Sequence, residues 1–259
     1  MYFLSFETST KIFSLALNKD EKVLRCRNLK SASVLEDCIL PTMDKILDSA
    51  GIKFNQIDGF AIALGPGSFT SLRVGLATVK AFAMSTQKPV VGIPTLDIIA
   101  YGIQNSICHS RESGNPVYQY DEICVINDAR RGNVYACLYG PKGRKCDFLL
   151  TPLDDVLGKV HGKTLFVGDA LRDYRNDIEE AYRKYSSKKK SACKCFFADE
   201  KWWYPQSKVM AALAYERFKI KQCDDASSLL PLYLYPQDCQ VTTSMSFPRK
   251  RESKIERQK

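Results

Sequence analysis

Two short stretches hold residues whose types and spacing could do chemistry. Glu7-Thr-Ser-Thr10 sets one carboxylate beside three hydroxyls. Gly65-Pro-Gly-Ser68 lies between an apolar run at residues 60–64 and a helical pattern at residues 68–85. Gly65 and Gly67 can take backbone angles closed to other residues, and Pro66 fixes its own φ. Ser68 or Thr70 can cap the helix. Free N–H groups at such a helix start suit an anion. The same geometry serves a compact strand-to-helix connection with no ligand. A nucleotide site would need an acidic metal partner and Gly-bearing phosphate loops. Glu7, Thr8, Ser9, Gly65, Gly67 and Ser68 are therefore the candidates for a residual phosphate loop. Glu7 either orients a magnesium-bound water or holds a turn. Gly168-Asp-Ala170 is a candidate second loop, and no Walker sequence is present.

Other chemistries lack their parts. The two histidines, His109 and His161, fall in different loop-like segments. A histidine-based metal centre or a Ser-His-Asp triad would need one of them by coincidence. Cys193 and Cys195 form a C-x-C pair with neither a second pair nor a nearby histidine, so no metal site is expected. Cys26, Cys124 and Cys137 sit in strand-like runs, where free thiols act as small hydrophobes. Asp128 and Arg130 can meet a partner or hold their own turn. Trp202, Trp203 and Tyr204 can stack bases or lead into a packed helix. No catalytic residue is assigned.

The chain has 259 residues, 45% of them hydrophobic, enough for one large domain or two ordinary ones. Its net charge is +9. From Met245 to Lys259 six basic residues face two acidic ones, so +4 of that charge lies in the tail and +5 in the body. That balance fits a polyanionic partner such as RNA, or simply a solvated tail. Scattered cysteines suit a reducing, cytoplasmic setting. The first seven residues turn acidic too early for a signal peptide, and no run of about 20 apolar residues would span a membrane.

The elements that must position these residues follow from hydrophobic spacing. Strands are expected at residues 2–6, 12–17 and 22–29, then a helix at 31–49 that Pro41 kinks or splits. A strand at 60–64, the helix at 68–85, a strand at 89–93 and a helix at 95–101 complete the first half. Residues 105–121 read as an inserted surface loop. The second half repeats strands then helices in degenerate form: strands at 122–127, 134–139, 146–150, 164–167 and 195–198, helices at 170–185 and 205–219. The domain plan is thus 1–104, the insertion 105–121, a degenerate half 122–242, and a basic tail 243–259 expected to be disordered. The helix at 68–85 is apolar nearly all round: Leu72, Leu76, Val79 and Ala83 line one face, while Val74, Ala77, Ala81 and Met84 extend it. Such a helix needs a second cover besides its sheet.

Gly65-Pro-Gly-Ser-Phe-Thr-Ser-Leu-Arg-Val-Gly75, Pro89-Val-Val-Gly-Ile-Pro-Thr-Leu96 and Asp128-Ala-Arg-Arg-Gly-Asn-Val-Tyr135 together resemble the bacterial TsaB family, with Pro231-Leu-Tyr-Leu234 as weaker support. The likeness runs in order over residues 1–240. Glu7 stands where that family usually has Asp, Ser71 where it has Gly, Asn133 where it has Glu and Tyr235 where it has Arg. The resemblance implies an α/β, actin-like or sugar-kinase-like fold of two ribonuclease-H-like halves. It implies a non-catalytic subunit of tRNA threonylcarbamoyladenosine synthesis that docks and activates a TsaD-type catalytic sister. A TsaE-type ATPase, indirect contact with tRNA and a homodimer when alone are further implied partners. It implies no cofactor of its own and a nucleotide at the partner interface. Docking would use the helices at 31–49 and 68–85, through Val34, Cys38, Leu72, Arg73, Val74, Leu76, Val79 and Lys80. The rival reading is a nucleotide-dependent phosphotransferase or ATPase acting alone through Glu7, Ser9 and the Gly65–Ser68 turn.

Overall fold

The computed structural model describes residues 1–30, 35–112, 120–160, 162–188 and 193–235. Strands β1 (Tyr2–Glu7), β2 (Ile12–Lys19) and β3 (Lys22–Lys30) form an antiparallel meander. Helix α1 (Leu35–Ala50) leads to β4 (Gly59–Ala63), helix α2 (Phe69–Thr86) to β5 (Val90–Ile93), and helix α3 (Thr95–Glu112) ends the first half. β4 lies parallel to β1, and β5 parallel to β4, giving the sheet order β3-β2-β1-β4-β5.

The second half repeats that plan. Strands β6 (Glu122–Asp128) and β7 (Asn133–Gly140) are antiparallel, and both β8 (Gly143–Arg144) and β9 (Leu149–Pro152) pair with β7. After the short helix α4 (Leu153–Leu157), β10 (Lys163–Val167) joins β6 in parallel. Helix α5 (Leu171–Lys188) leads to β11 (Lys194–Phe197), and helix α6 (Ser207–Lys219) follows. Three antiparallel strands extended by two parallel ones, twice over, is the two-halved ribonuclease-H-like architecture.

The last helix of each half crosses to the other. α6 lays Met210, Ala211, Ala214 and Phe218 on the first sheet, against Phe3, Ala61 and Val91. α3 lays Leu96, Ile99, Ala100 and Ile103 on the second sheet, against Val125, Cys137 and Val167. Both sheets are covered on their opposite faces too: α1 and α2 on the first, α4 and α5 on the second. Burial on both faces explains why β1, β4 and β6 read as unbroken apolar runs. The Ser14 and Ser207 hydroxyls, 2.7 Å apart, tie the first sheet to the start of α6.

Several boundaries differ from the pattern. α1 runs through Pro41 unbroken, because Ile39 before it and Thr42, Met43, Ile46 and Leu47 after it are all held in one core. Residues 31–34 lie outside the described residues. α3 continues to Glu112, so the first eight residues of the expected loop are helical, and residues 113–119 are not described. Cys124 and Cys137 are buried as expected, but Cys26 is exposed, since β3 is an edge strand facing solvent. Lys22, Arg25, Arg27 and Lys30 charge that edge against pairing with another chain. The basic tail and both histidines lie outside the described residues, His109 by its side chain. Among the described residues no helix is long and apolar enough to cross a membrane.

Candidate functional site: the α2 face and the turn beneath it

The turn between β1 and β2 is pinned under the start of α2. Ser68 donates its N–H to the Ser9 carbonyl at 2.8 Å. Gly67 presses so closely on that carbonyl that no Cβ fits there. Glu7, Thr8 and Ser9 are fully buried. Glu7 Oε1 accepts from the Ser9 N–H at 2.6 Å and from the Ser9 hydroxyl at 2.5 Å, while Glu7 Oε2 and Thr8 Oγ1 are buried with no protein partner. Burial pushes the Glu7 carboxyl up to about 7 against the lowering pull of the Ser9 hydroxyl and N–H. Gly65 is likewise buried, and only Gly67 and Ser68 reach the surface. The candidate phosphate-loop residues are thus brought together, but as a sealed packing junction with the Thr8 and Ser9 hydroxyls turned inward. The rival reading of a stand-alone ATPase needs those hydroxyls open.

The corresponding corner of the second half is also closed on itself. Gly168, at φ +127°, packs against the Ile126 carbonyl. Asp169 Oδ1 accepts from the Asp128 N–H at 2.9 Å, and burial raises the Asp169 carboxyl. Asp128 Oδ1 accepts from the Arg130 N–H at 2.8 Å, and its other oxygen lies 3.4 Å from the Arg130 guanidinium. Arg130 and Arg131 both have positive φ, so the aspartate holds a strained turn. Trp203 donates to the Ala198 carbonyl at 2.9 Å and packs, with Trp202, beside the α3 core. That is the helix lead-in rather than a stacking platform. Burial raises the Cys195 thiol, and Cys193 and Cys195 pack beside the second core as small hydrophobes.

α2 presents a different outer face from the one assigned by spacing. Leu72, Leu76 and Val79 are buried within the chain's own core, so these three cannot meet a partner. Their stripe faces the sheet, and the opposite stripe is outward. Thr70, Ala77, Ala81 and Met84 are exposed, with Val74 half-buried beside them. Phe69 is 53% exposed and Met84 59% exposed. On α1, Leu40 is 50% exposed and Cys38 half-buried, while Val34 lies outside the described residues. α1 packs directly beside α2. Large apolar side chains standing in water on adjoining helices mark a surface that another molecule covers.

Arg73 and Lys80 are also on α2, but their charges are already engaged. Lys80 Nζ donates to the carbonyls of Ser227 at 2.9 Å and Leu229 at 3.1 Å. Arg73 lies over the Phe69 ring at 3.9 Å and donates to the Tyr233 hydroxyl at 3.1 Å. Both hold a C-terminal strap, residues 224–235, that spacing alone did not reveal. The only signal was Pro231-Leu-Tyr-Leu234, apolar but without helical or strand period.

A profile described as "TsaD: tRNA N6-adenosine threonylcarbamoyltransferase" matches residues 32–213. The "tRNA threonylcarbamoyladenosine biosynthesis protein TsaB" of Haemophilus influenzae is 30% identical over 132 residues, 51% of each chain. The protein of the same description from Buchnera aphidicola subsp. Schizaphis graminum is 26% identical over 183 residues, 67% of this chain and 81% of that one. The chain thus spans about half the length of the Haemophilus relative it matches. The solved structure described as "YeaZ from Pseudomonas aeruginosa" superposes with a TM-score of 0.66 at 21% identity, over 90% of this chain and 99% of that one. The fold is shared across nearly the whole of both.

Proposed function

Because the chain belongs to the tRNA N6-adenosine threonylcarbamoyltransferase (TsaD) family, on its TsaB side, we propose that it is the non-catalytic subunit of threonylcarbamoyladenosine synthesis on tRNA. It docks a TsaD-type catalytic sister through the outer face of α2 and the adjoining face of α1. The observation that carries this reading is the uncovered apolar surface of α2, with Phe69 and Met84 in solvent and Ala77 and Ala81 between them. Small residues at that spacing let a second helix approach closely, at about 8–10 Å between axes. A sister of the same family offers a helix pair of the same plan, so two such pairs make a four-helix contact.

The mechanism is thermodynamic. The subunit binds one conformer of the sister better than another and so raises the population of the competent one. It supplies no catalytic residue and no cofactor of its own, and any nucleotide is shared at the interface. A TsaE-type ATPase joins the pair, tRNA is met indirectly, and the work is cytoplasmic. Without the sister the same face pairs two copies of this chain.

The test is titration calorimetry with the purified sister enzyme and the Ala81→Glu variant. Ala81 is exposed, so the fold tolerates the change. Binding by the native chain and at least tenfold weaker binding by the variant are expected. Equal binding by both would remove α2 from the interface.

A further inference from the structure

Resting on that docking reading, we infer that the strap from Asp224 to Tyr235 is a side wall of the docking surface, and that the docked sister reads Leu230 and Tyr233 together with the outer face of α2.

The strap is firmly built. It starts as an added edge on β5, where Asp224 donates its N–H to the Val90 carbonyl at 2.8 Å. The Asp224 carboxylate accepts from the Gly92 N–H at 2.7 Å and from Arg217 at 3.1 Å. Ala226 and Leu229 then pack on the first core, and Lys80 holds the carbonyls of Ser227 and Leu229. Further on, Leu232 donates to the Leu64 carbonyl at 2.7 Å, and the Tyr233 and Phe69 rings stand 5.2 Å apart. Finally the Tyr235 hydroxyl donates to the Ala129 carbonyl of the second half at 2.8 Å. The strap therefore runs antiparallel to α2, from Lys80 down to Phe69, and ends on the other half.

What it leaves outward is apolar. Leu230 is 71% exposed and Tyr233 39% exposed. Leu230 lies between the Lys80 and Arg73 anchor points, at the height of Ala77, and Tyr233 adjoins the exposed Phe69. These side chains extend the uncovered face of α2 sideways without a break. Charge decides what occupies it. The two cations on this flank, Arg73 and Lys80, are spent on the strap, so nothing there recruits an acidic segment. The occupant is an apolar helix of the sister enzyme, seated on Ala77 and Ala81 and bounded by Leu230 and Tyr233. Lys80 and Arg73 are positioning residues that hold the wall in place.

The test is calorimetry of Leu230→Asp and Lys80→Met against the purified sister, with Ala81→Glu alongside and hydrogen exchange on each free chain. Leu230→Asp is expected to weaken binding at least tenfold with unchanged exchange. Lys80→Met is expected to weaken binding and to speed exchange at Ser227, Leu229 and Tyr233, and Lys80→Arg to restore both. If Ala81→Glu abolishes binding while Leu230→Asp stays within twofold of native, the wall is overturned and the α2 face stands. If no variant changes binding, the docking reading falls and takes the wall with it. If Leu230→Asp disrupts only self-association in sedimentation and leaves the sister's binding intact, the occupant is a second copy, and the assignment is overturned.

Discussion

Gly75, in the middle of α2, lies against the Thr8 side chain with no room for a Cβ between helix and turn. By helix propensity alone, alanine there would gain about 1 kcal/mol. The close approach reverses the sign, because Thr8 is itself fixed between the β1 and β2 strands. Gly75→Ala is expected to destabilise by about 1–3 kcal/mol, the usual cost of overfilling a tight contact. Thr8→Ala in the same chain should recover part of the loss, since it removes the hydroxyl and methyl groups that the new Cβ meets. Thermal melts of the single and double variants check both, and equal melting of Gly75→Ala and the native chain would show that α2 can lift.

Glu7 gives the stability a definite pH dependence. Its carboxyl rises from 4.5 to about 7 on folding, chiefly through burial. Between those values the native state holds a proton that the unfolded chain has lost. Stability is therefore highest below pH 4.5 as far as this group is concerned, falls as pH rises, and levels off above about 7. The full contribution is about 3 kcal/mol. Glu7→Gln keeps an acceptor for Ser9 and cannot ionise. Denaturant midpoints measured from pH 4.5 to 8 should decline less steeply in Glu7→Gln than in the native chain. Parallel declines would mean that Glu7 is not the group responsible.

Much of this fold was legible from spacing, and the reasons are local. The apolar run before Gly65 and the two-sided helix after it place β4 and α2 to within a residue. The repeat of strands then helices foretold two related halves. Burial direction was not legible: Leu72, Leu76 and Val79 form as good a stripe for a partner as for a core, and only the sheet beneath decides between them. The crossing of α3 and α6 was hidden, because a helix that covers a distant sheet has the same period as one that covers its own. The strap was hidden for another reason. Its shape is set by Lys80 and Asp224 bonding to backbone groups, and backbone groups carry no sequence signature.

Asp224 is the anchor on which the strap depends. Its carboxylate bridges the Gly92 N–H and Arg217, whose guanidinium also donates to the Gly92 carbonyl at 2.8 Å. Removing a charge-assisted acceptor from a half-buried site costs about 2 kcal/mol. Asp224→Ala should lower stability by about that amount and expose the edge of β5, speeding amide exchange at Gly92. Exchange at Gly92 no faster than native would show that the strap is held elsewhere.

The two faces of α2 should separate cleanly into folding and surface behaviour. Leu76 is 5% exposed within the first core, so Leu76→Ala is expected to cost about 2–5 kcal/mol through lost burial and an unfilled cavity. Ala77, the next residue, is exposed. Ala77→Glu keeps a good helix former and should change stability by less than about 0.5 kcal/mol. Denaturant unfolding of the isolated chain measures both. A large loss for Ala77→Glu in the chain alone would mean that this side of the helix is already covered. The uncovered apolar stripe from which docking is inferred would then not exist.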